Sequence, residues 1–511
     1  MTTGSALRGN PTHTSACLSK LVRPYYDDTV RKNSILAATL SKSVDSIGSR
    51  NKNVYVNNAL IKVQLKVDPH ESTAIRDAQI NNIISEILPE MNDSVREQSN
   101  LAVHGGDIEQ TSEELNKTNK LSIKQLGGGL SNHLFVVSVE TEESKSPFLQ
   151  VEKVKSALVR VHTEAESVEE SSEEDNCFVN RNVENKILAW LSKEGFAPKY
   201  FGRFLNGRIE QFYENYRTLT NEEMRFPKFG RAIAIALADL HRKNVPNGLL
   251  EYEEDVEGAG EIWTRIDKWI SLAQRQKNND TSCMLENMKK EWDWLKEELG
   301  PSTVTETSEG EESEDSIQKL AINFCREVVF THMDLQSLNI LTPLEKSPDF
   351  SISSLCPTSS DDNEDNEKED LAVIRVIDFE YAGLNPRAAD IGNTFCEYCD
   401  MNNLKPKYEK EYPTEAEQNM FLKTYLKNAN QDLYNYLDGH SGGPEMAWEE
   451  FLTEMRLSVG KHALLSHLGW AVWAVGQSTL SSVEFDYLRY AEIRMLGYDL
   501  FKKIYWPTQS S

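Results

Sequence analysis

Residues 328 to 341, VVFTHMDLQSLNIL, set His332, Asp334, Gln336 and Asn339 between two stretches that want to be buried. Val328, Val329 and Phe330 predict a short interior strand, and Ile340 with Leu341 predicts the return into the core. Polar side chains on a tight connector between buried strands are costly unless they bind something. A second run, LAVIRVIDFEYAGL, predicts another buried strand with Asp378 where it ends. The two strands, each with its polar end, predict a hairpin interrupted by a disordered excursion, which adds little closure entropy. Asp334, Asn339 and Asp378 then converge. Two carboxylates and an amide oxygen are hard ligands or proton acceptors, suited to Mg2+ with ATP phosphates.

The spacing H-x-D-x-x-x-x-N lets Asp334 face an incoming hydroxyl while Asn339, five residues on, turns back to a metal. Asp378 opens DFE, where a protein kinase has its metal-binding D-F-G. An ordinary loop with a capping Asn is the bland alternative, and the agreement of two strand ends weighs against it. In GGGLSN, residues 127 to 132, Gly128 and Gly129 permit close phosphate approach, and Ser131 and Asn132 offer polar side chains. The stretch has neither Walker nor dinucleotide spacing. A plain hairpin therefore stands as its alternative, and the company of the later motifs favours phosphate. Arg160 lies within the strand ALVRVH and Glu184 on the next helix. Buried together, the strand cation would hold phosphates and the helix carboxylate would position it; two surface charges are the other reading. Trp470 and Trp473 are three apart on one helical face, and Tyr487 and Tyr490 repeat the interval. Aromatic faces sharing a pocket with Asp334 and Glu380 suit an organic ammonium ion, with core packing as the alternative. A cationic alcohol is the expected substrate.

The elements that must position these groups divide the chain. At 511 residues it exceeds one hydrophobic core, so two lobes are expected. Residues 1–120 read as an N-terminal extension, partly disordered or docked, with one candidate strand in NVYVNNALIKVQLKV and a helix over STAIRDAQINNIISEILPEM. From 121 to 215, five strands and one helix, on which Val183, Ile187 and Leu191 repeat every four residues, predict a small antiparallel lobe that binds ATP. From 216 to 511 a mainly helical lobe is expected, with FGRAIAIALADLHRK and EIWTRIDKWISLAQRQ as amphipathic helices. Acidic insertions near 302–316 and 347–370 cannot bury enough area to fold alone. The fold class is α+β. A balance of 55 basic against 81 acidic residues, net −26, disfavours nucleic acid and anionic membrane as partners. Seven cysteines without zinc spacing, Cys396 and Cys399 included, read as packing thiols in a reducing compartment. With no signal-peptide core and no membrane-spanning stretch, a cytoplasmic protein without stable membrane insertion is expected.

The pieces GGGLSNHLFVV, ALVRVH, THMDLQSLNIL, VIDFEYAGLNPRAADIGNTFCE and WAVWAVGQSTLSSVEFDYLRYA resemble the choline and ethanolamine kinase family over roughly residues 120 to 508. The resemblance implies a two-lobed protein-kinase-like fold, ATP with Mg2+, and phosphorylation of choline or ethanolamine at the head of phospholipid synthesis. It makes Asp334 the catalytic Asp, Gln336 and Asn339 the polar residues that follow, with Gln336 beside the nucleotide, and Asp378 the metal-binding Asp. Glu380 becomes the acid after the metal ligand, and Trp470, Trp473 and Tyr490 the ammonium-binding aromatics. Arg160 takes the phosphate-contacting strand position, and Glu210, Gln211 and Phe212 look like the hinge beside adenine. A homodimer is implied by the family alone. Two departures stand out: Met333 replaces the usual Asn of H-N-D, and Pro386 stands where many members carry Tyr. Choline is placed first as substrate, with ethanolamine or both as the alternative. A kinase-shaped scaffold without activity is the rival from another class.

Overall fold

The computed structural model describes residues 60–61, 65, 73–89, 91, 121–127, 132–139, 154–162, 178–250, 260–275, 279–300, 316–344, 371–400, 403, 406–481 and 485–507. The acidic insertions expected near 302–316 and 347–370 lie, apart from residue 316, outside them. So do Gly128, Gly129 and Ser131, and most of the N-terminal extension.

Alternating apolar residues build the small lobe as a six-stranded sheet in the order β1-β5-β6-β4-β3-β2. Its strands are β1 (Leu60–Ile61), β2 (Leu121–Leu126), β3 (Asn132–Val139), β4 (Ser156–His162), β5 (Tyr200–Phe204) and β6 (Gly207–Gln211). The five strands expected from the sequence pair antiparallel, and β1, from the candidate strand of the extension, adds parallel to β5. Helix α1 (Thr73–Ile87) lays Ile80, Ile83, Ile84 and Ile87 in one cluster with Phe135, Val137, Val159 and Ile209 of the sheet. Helix α2 (Arg181–Lys193) starts at Asn180, whose side chain accepts from the amides of Asn182 and Val183. Ile187 and Leu191 of its expected stripe are fully buried, and Val183 is partly so.

The larger lobe is mainly helical, and two small sheets shape its edge of the cleft. Strand β7 (Tyr216–Thr218) pairs with β9 (Ile340–Pro343), which pairs with β10 (Arg375–Val376), so the hairpin across the acidic excursion is built from the return strand and not, as expected, from the strand before the polar loop. Strand β8 (Val328–Thr331) pairs instead with β11 (Gly383–Pro386). Around them lie α3 (Asn221–Met224), α4 (Pro227–His241), α5 (Ile262–Arg275), α6 (Asn279–Leu299), α7 (Ile317–Arg326) and α8 (Arg387–Cys396). The chain closes with α9 (Tyr408–Glu411), α10 (Glu415–Ala429), α11 (Gln431–Asp438), α12 (Pro444–Leu480) and α13 (Tyr487–Tyr505). The 37-residue α12 is the axis, packed by α5, α7, α8 and α13. Helix α6 is a difference from the sequence reading, because its charges mask a stripe of Leu285, Met288, Trp292 and Leu295 that the structure buries. Among the described residues no helix is long and apolar enough to cross a membrane.

Candidate active site

Between the sheet and the helices lies a cleft of about 1300 Å3, and most of the residues singled out from the sequence line it. The loop after β8 forms one side. His332 is fully buried, and its ring lies between an acceptor and a donor: Nε2 meets the carbonyl of Ile377 at 3.1 Å, and Nδ1 accepts from the amide of Asp334 at 3.2 Å. Burial holds its pKa below the usual value, so the neutral ring ties the loop to the segment carrying Asp378. Met333 adopts φ 62°, a left-handed conformation that costs a side chain like Met about 1 kcal/mol. Asp390 holds that bend. Its carboxylate accepts from the amides of His332 at 2.7 Å and Met333 at 2.8 Å, and His241 meets it at 2.9 Å. Met333 itself packs in the helical core, as expected of an apolar residue at that position.

Asp334 follows from this bend with its carboxylate braced on both sides. The Asn339 amide donates to its Oδ2 and to its carbonyl, each at 2.8 Å, and Gln336 donates to both oxygens at 3.3 and 3.4 Å. Burial first, then Glu397, Asp378 and Glu380, push its pKa well above the usual carboxylate value. The turn Ser337–Asn339 closes the loop. Gln336, expected beside the nucleotide, thus reaches Asp334.

Across the cleft, Asp378 has φ 67° and presents one carboxylate oxygen to Arg160 at 3.2 Å. Its other oxygen, Oδ1, is buried without a hydrogen-bond partner among the described residues. Carboxylate atoms of Asp378, Glu380 and Glu184 lie within 4.8 Å of one another. An uncommitted oxygen amid carboxylates fits a divalent cation, so Asp378 and its neighbours can hold Mg2+. The expected Arg160–Glu184 pair is not formed. Arg160 faces Asp378 and, at 3.3 Å, Glu210, whereas Glu184 is gripped by Arg181 at 2.9 Å and by Arg208. Burial alone would raise the Glu184 pKa, but Arg208 and Arg181 pull it far below the carboxylate range. Two strand arginines at register positions opposite each other made the sequence partner ambiguous, and Arg208 is the nearer to the helix. Glu184 therefore lies behind the cleft wall rather than on it. Glu380 bonds Arg181 at 2.8 Å, which places it with the metal-capable acids.

Leu126, Leu134 and Leu158 from the sheet, Leu341 and Ile377 from the larger lobe, and Gln211, Phe212 and Tyr213 also line the cleft. Glu210 lines it, but its carboxylate is bonded to Arg208 and Arg160, and the Gln211 amide oxygen accepts from Lys199. Asn132 also lines the cleft, its oxygen 2.8 Å from His162 Nδ1.

Another part of the cleft is an aromatic chamber. Trp470 and Trp473 stand edge to face at 5.5 Å, Tyr381 meets Trp470 at 4.9 Å, and Tyr490 meets Trp473 at 6.4 Å. Asn393 accepts from the Trp470 indole at 3.0 Å and fixes its plane. Tyr487, expected on this wall, packs behind it: its hydroxyl donates to Ser481 at 2.8 Å and its ring meets Trp473 at 5.8 Å. It opens α13 with its ring 4.9 Å from that of Phe485, and Phe485 lines the cleft in its stead. Glu397 is the acid that the sequence reading missed. It lines the chamber and bonds Arg494, which in turn donates to Tyr490 Oη at 2.9 Å. Its spacing of four from Asn393, on a helix facing α12, was the available signal. Pro386, where many members carry Tyr, pairs with Val328 at the end of β11 and is not among the cleft-lining residues. Cys396 and Cys399 are buried packing thiols, and burial pushes the Cys396 pKa up to about 12.

A sequence model of the choline/ethanolamine kinase family matches residues 123–499. The chain belongs to this family. Its relatives include a probable choline kinase 3 of Arabidopsis thaliana, 26% identical over 385 residues that span 75% of this chain and 87% of the relative. A probable ethanolamine kinase of the same plant is 27% identical over 75% of this chain and 79% of its own length. The crystal structure of choline kinase from Cryptosporidium parvum Iowa II superposes with a TM-score of 0.51 at 25% identity, covering 76% of this chain and 92% of the other. The two-lobed fold is thus the one choline/ethanolamine kinases share, and the family's chemistry is ATP-dependent phosphorylation of an amino alcohol.

Proposed function

We propose that this chain transfers the γ-phosphoryl group of ATP to the hydroxyl of choline, giving phosphocholine and ADP. The observation that carries the reading is one cleft with the braced, buried Asp334 between the metal-capable Asp378 and an aromatic chamber. Asp334 orients the substrate hydroxyl and accepts its proton as the new oxygen–phosphorus bond forms and the bond to the β-phosphate oxygen breaks. Gln336 and Asn339 hold its carboxylate in one rotamer. Asn339 and Asp378 would hold Mg2+, with Glu380 beside them; when bound, the ion neutralises charge on the transferring phosphate. Arg160 meets the same charge from the sheet, so most of the rate gain is electrostatic positioning. Three methyl groups remove every N–H donor from the choline nitrogen and spread its charge over an apolar shell, which suits the faces of Trp470, Trp473, Tyr381 and Tyr490.

Ethanolamine, alone or beside choline, is the second reading. Its three N–H donors need directed acceptors, and Glu397 together with Asp334 supplies them. Similarity to choline and to ethanolamine kinases is nearly equal and favours neither. Comparing kcat/KM for the two alcohols decides. Choline is expected to have the higher value, and Trp473→Ala should cost choline about tenfold or more while costing ethanolamine less. A preference for ethanolamine in the unmodified enzyme would overturn the choline assignment and leave the phosphotransfer chemistry intact.

A further inference from the structure

Asn221 is the first residue of α3 and lies on the cleft wall, and it has no part in the chemistry described above. Its backbone is fixed from both sides. Thr220 and Glu223 form a capping box around it, and the preceding strand β7 runs along β9, with the Leu219 amide donating to Ile340 at 2.9 Å. Its side chain spans two segments that are distant in sequence. The Nδ2 group donates to the carbonyl of Glu397 at 2.9 Å and of Cys399 at 3.1 Å, and Oδ1 accepts from the Ser337 hydroxyl at 2.9 Å. Two carbonyls on one side and a hydroxyl donor on the other leave a single orientation of the amide that satisfies all three.

Each end of this bridge leads to one end of the substrate. Ser337 opens the turn that ends at Asn339, whose amide holds the Asp334 carboxylate. Glu397 carries the carboxylate that lines the aromatic chamber and is itself bonded to Arg494. Its carbonyl is one of those left without an intrahelical partner where α8 ends, and Asn221 ties that carbonyl to the catalytic turn, while Arg494 holds its carboxylate. We infer that Asn221 is a positioning residue that sets the span between the hydroxyl-facing Asp334 and the ammonium-facing Glu397, and thereby selects the length of the amino alcohol. The inference rests on the amino-alcohol kinase reading. With the bridge cut, the catalytic turn and the end of α8 move independently. A two-carbon alcohol, matched to the fixed span, then loses more than a three-carbon homologue that never fitted it.

The test compares kcat/KM for choline and for (3-hydroxypropyl)trimethylammonium, with KM for ATP and thermal stability as companions, in the full-length protein. Asn221→Ala should lower the ratio of the two values by at least about threefold while KM for ATP stays within about twofold. Asn221→Asp keeps the acceptor for Ser337 but turns a carboxylate on two carbonyls, so it should behave like Asn221→Ala. Ser337→Ala removes one bond and should lower the ratio less. Equal losses for both alcohols, at any change in melting temperature, would show a merely structural Asn221 and overturn the inference. Should the Asn221 variants not fold, an unchanged ratio in Ser337→Ala overturns it and a lowered one supports it. No turnover of either alcohol by the unmodified protein would instead overturn the kinase reading, and this inference with it.

Discussion

Asp334 is held among Glu397, Asp378 and Glu380 in a buried position, and both burial and these like charges resist its ionisation. The hydroxyl-orienting form is the carboxylate, so kcat/KM for the amino alcohol should rise with pH through an apparent pKa above the ordinary carboxylate value. Glu397→Gln removes one neighbouring negative charge and leaves Arg494 uncompensated. Both changes favour the Asp334 carboxylate, so the acid limb should move to lower pH, whatever happens to its height. A limb that stays put or moves up would contradict this electrostatic coupling. At this scale the sequence was legible where residue types recur at short spacing: Asp334 with Asn339, and Trp470 with Trp473. It was least legible where partners meet only through the fold. Glu397 and Tyr381 reach the chamber from elements distant in sequence from α12, and Arg208 rather than Arg160 takes Glu184 because two neighbouring strands put both arginines side by side.

Among the elements, β1 and α1 change the meaning of the N-terminal extension. Leu65 is tied to the β5–β6 turn through both its amide and its carbonyl by Asn206, at 2.9 and 2.8 Å. The isoleucines of α1, with Leu88 and Met91, share one apolar cluster with the sheet. Each buried isoleucine contributes about 1.5–3 kcal/mol, so losing them together is comparable to a whole domain's stability. A chain begun at Leu121 should therefore lack a cooperative unfolding transition, and Ile84→Ala in the full-length protein should cost about 2–5 kcal/mol in denaturant unfolding. A truncated protein that melts within a few degrees of the full chain would show that α1 is dispensable. The strand and the helix were both readable as elements from their apolar spacing. Their docking was not, because burial of one helix stripe does not name the surface that covers it.

For the molecule as a whole, the two lobes and their composition were foreseeable from length and pattern, and the cleft between them was not, since it exists only once sheet and helices meet. An overall charge of −26 coexists with a cleft lined by Arg160, Arg217, Arg225 and Arg494, each paired with a carboxylate. Local arrangement, rather than net charge, is what an anionic nucleotide would sense. The central claim is that Asp334 drives phosphoryl transfer to a small amino alcohol in this cleft. The most direct measurement incubates the purified full-length protein with Mg·ATP and choline and quantifies phosphocholine, beside an Asp334→Ala variant shown to bind ATP. Product from the unmodified protein, reduced by at least about 100-fold in the variant, is the expected result. Nucleotide binding without product from choline, ethanolamine or a related amino alcohol, or near-normal turnover by Asp334→Ala, would contradict it.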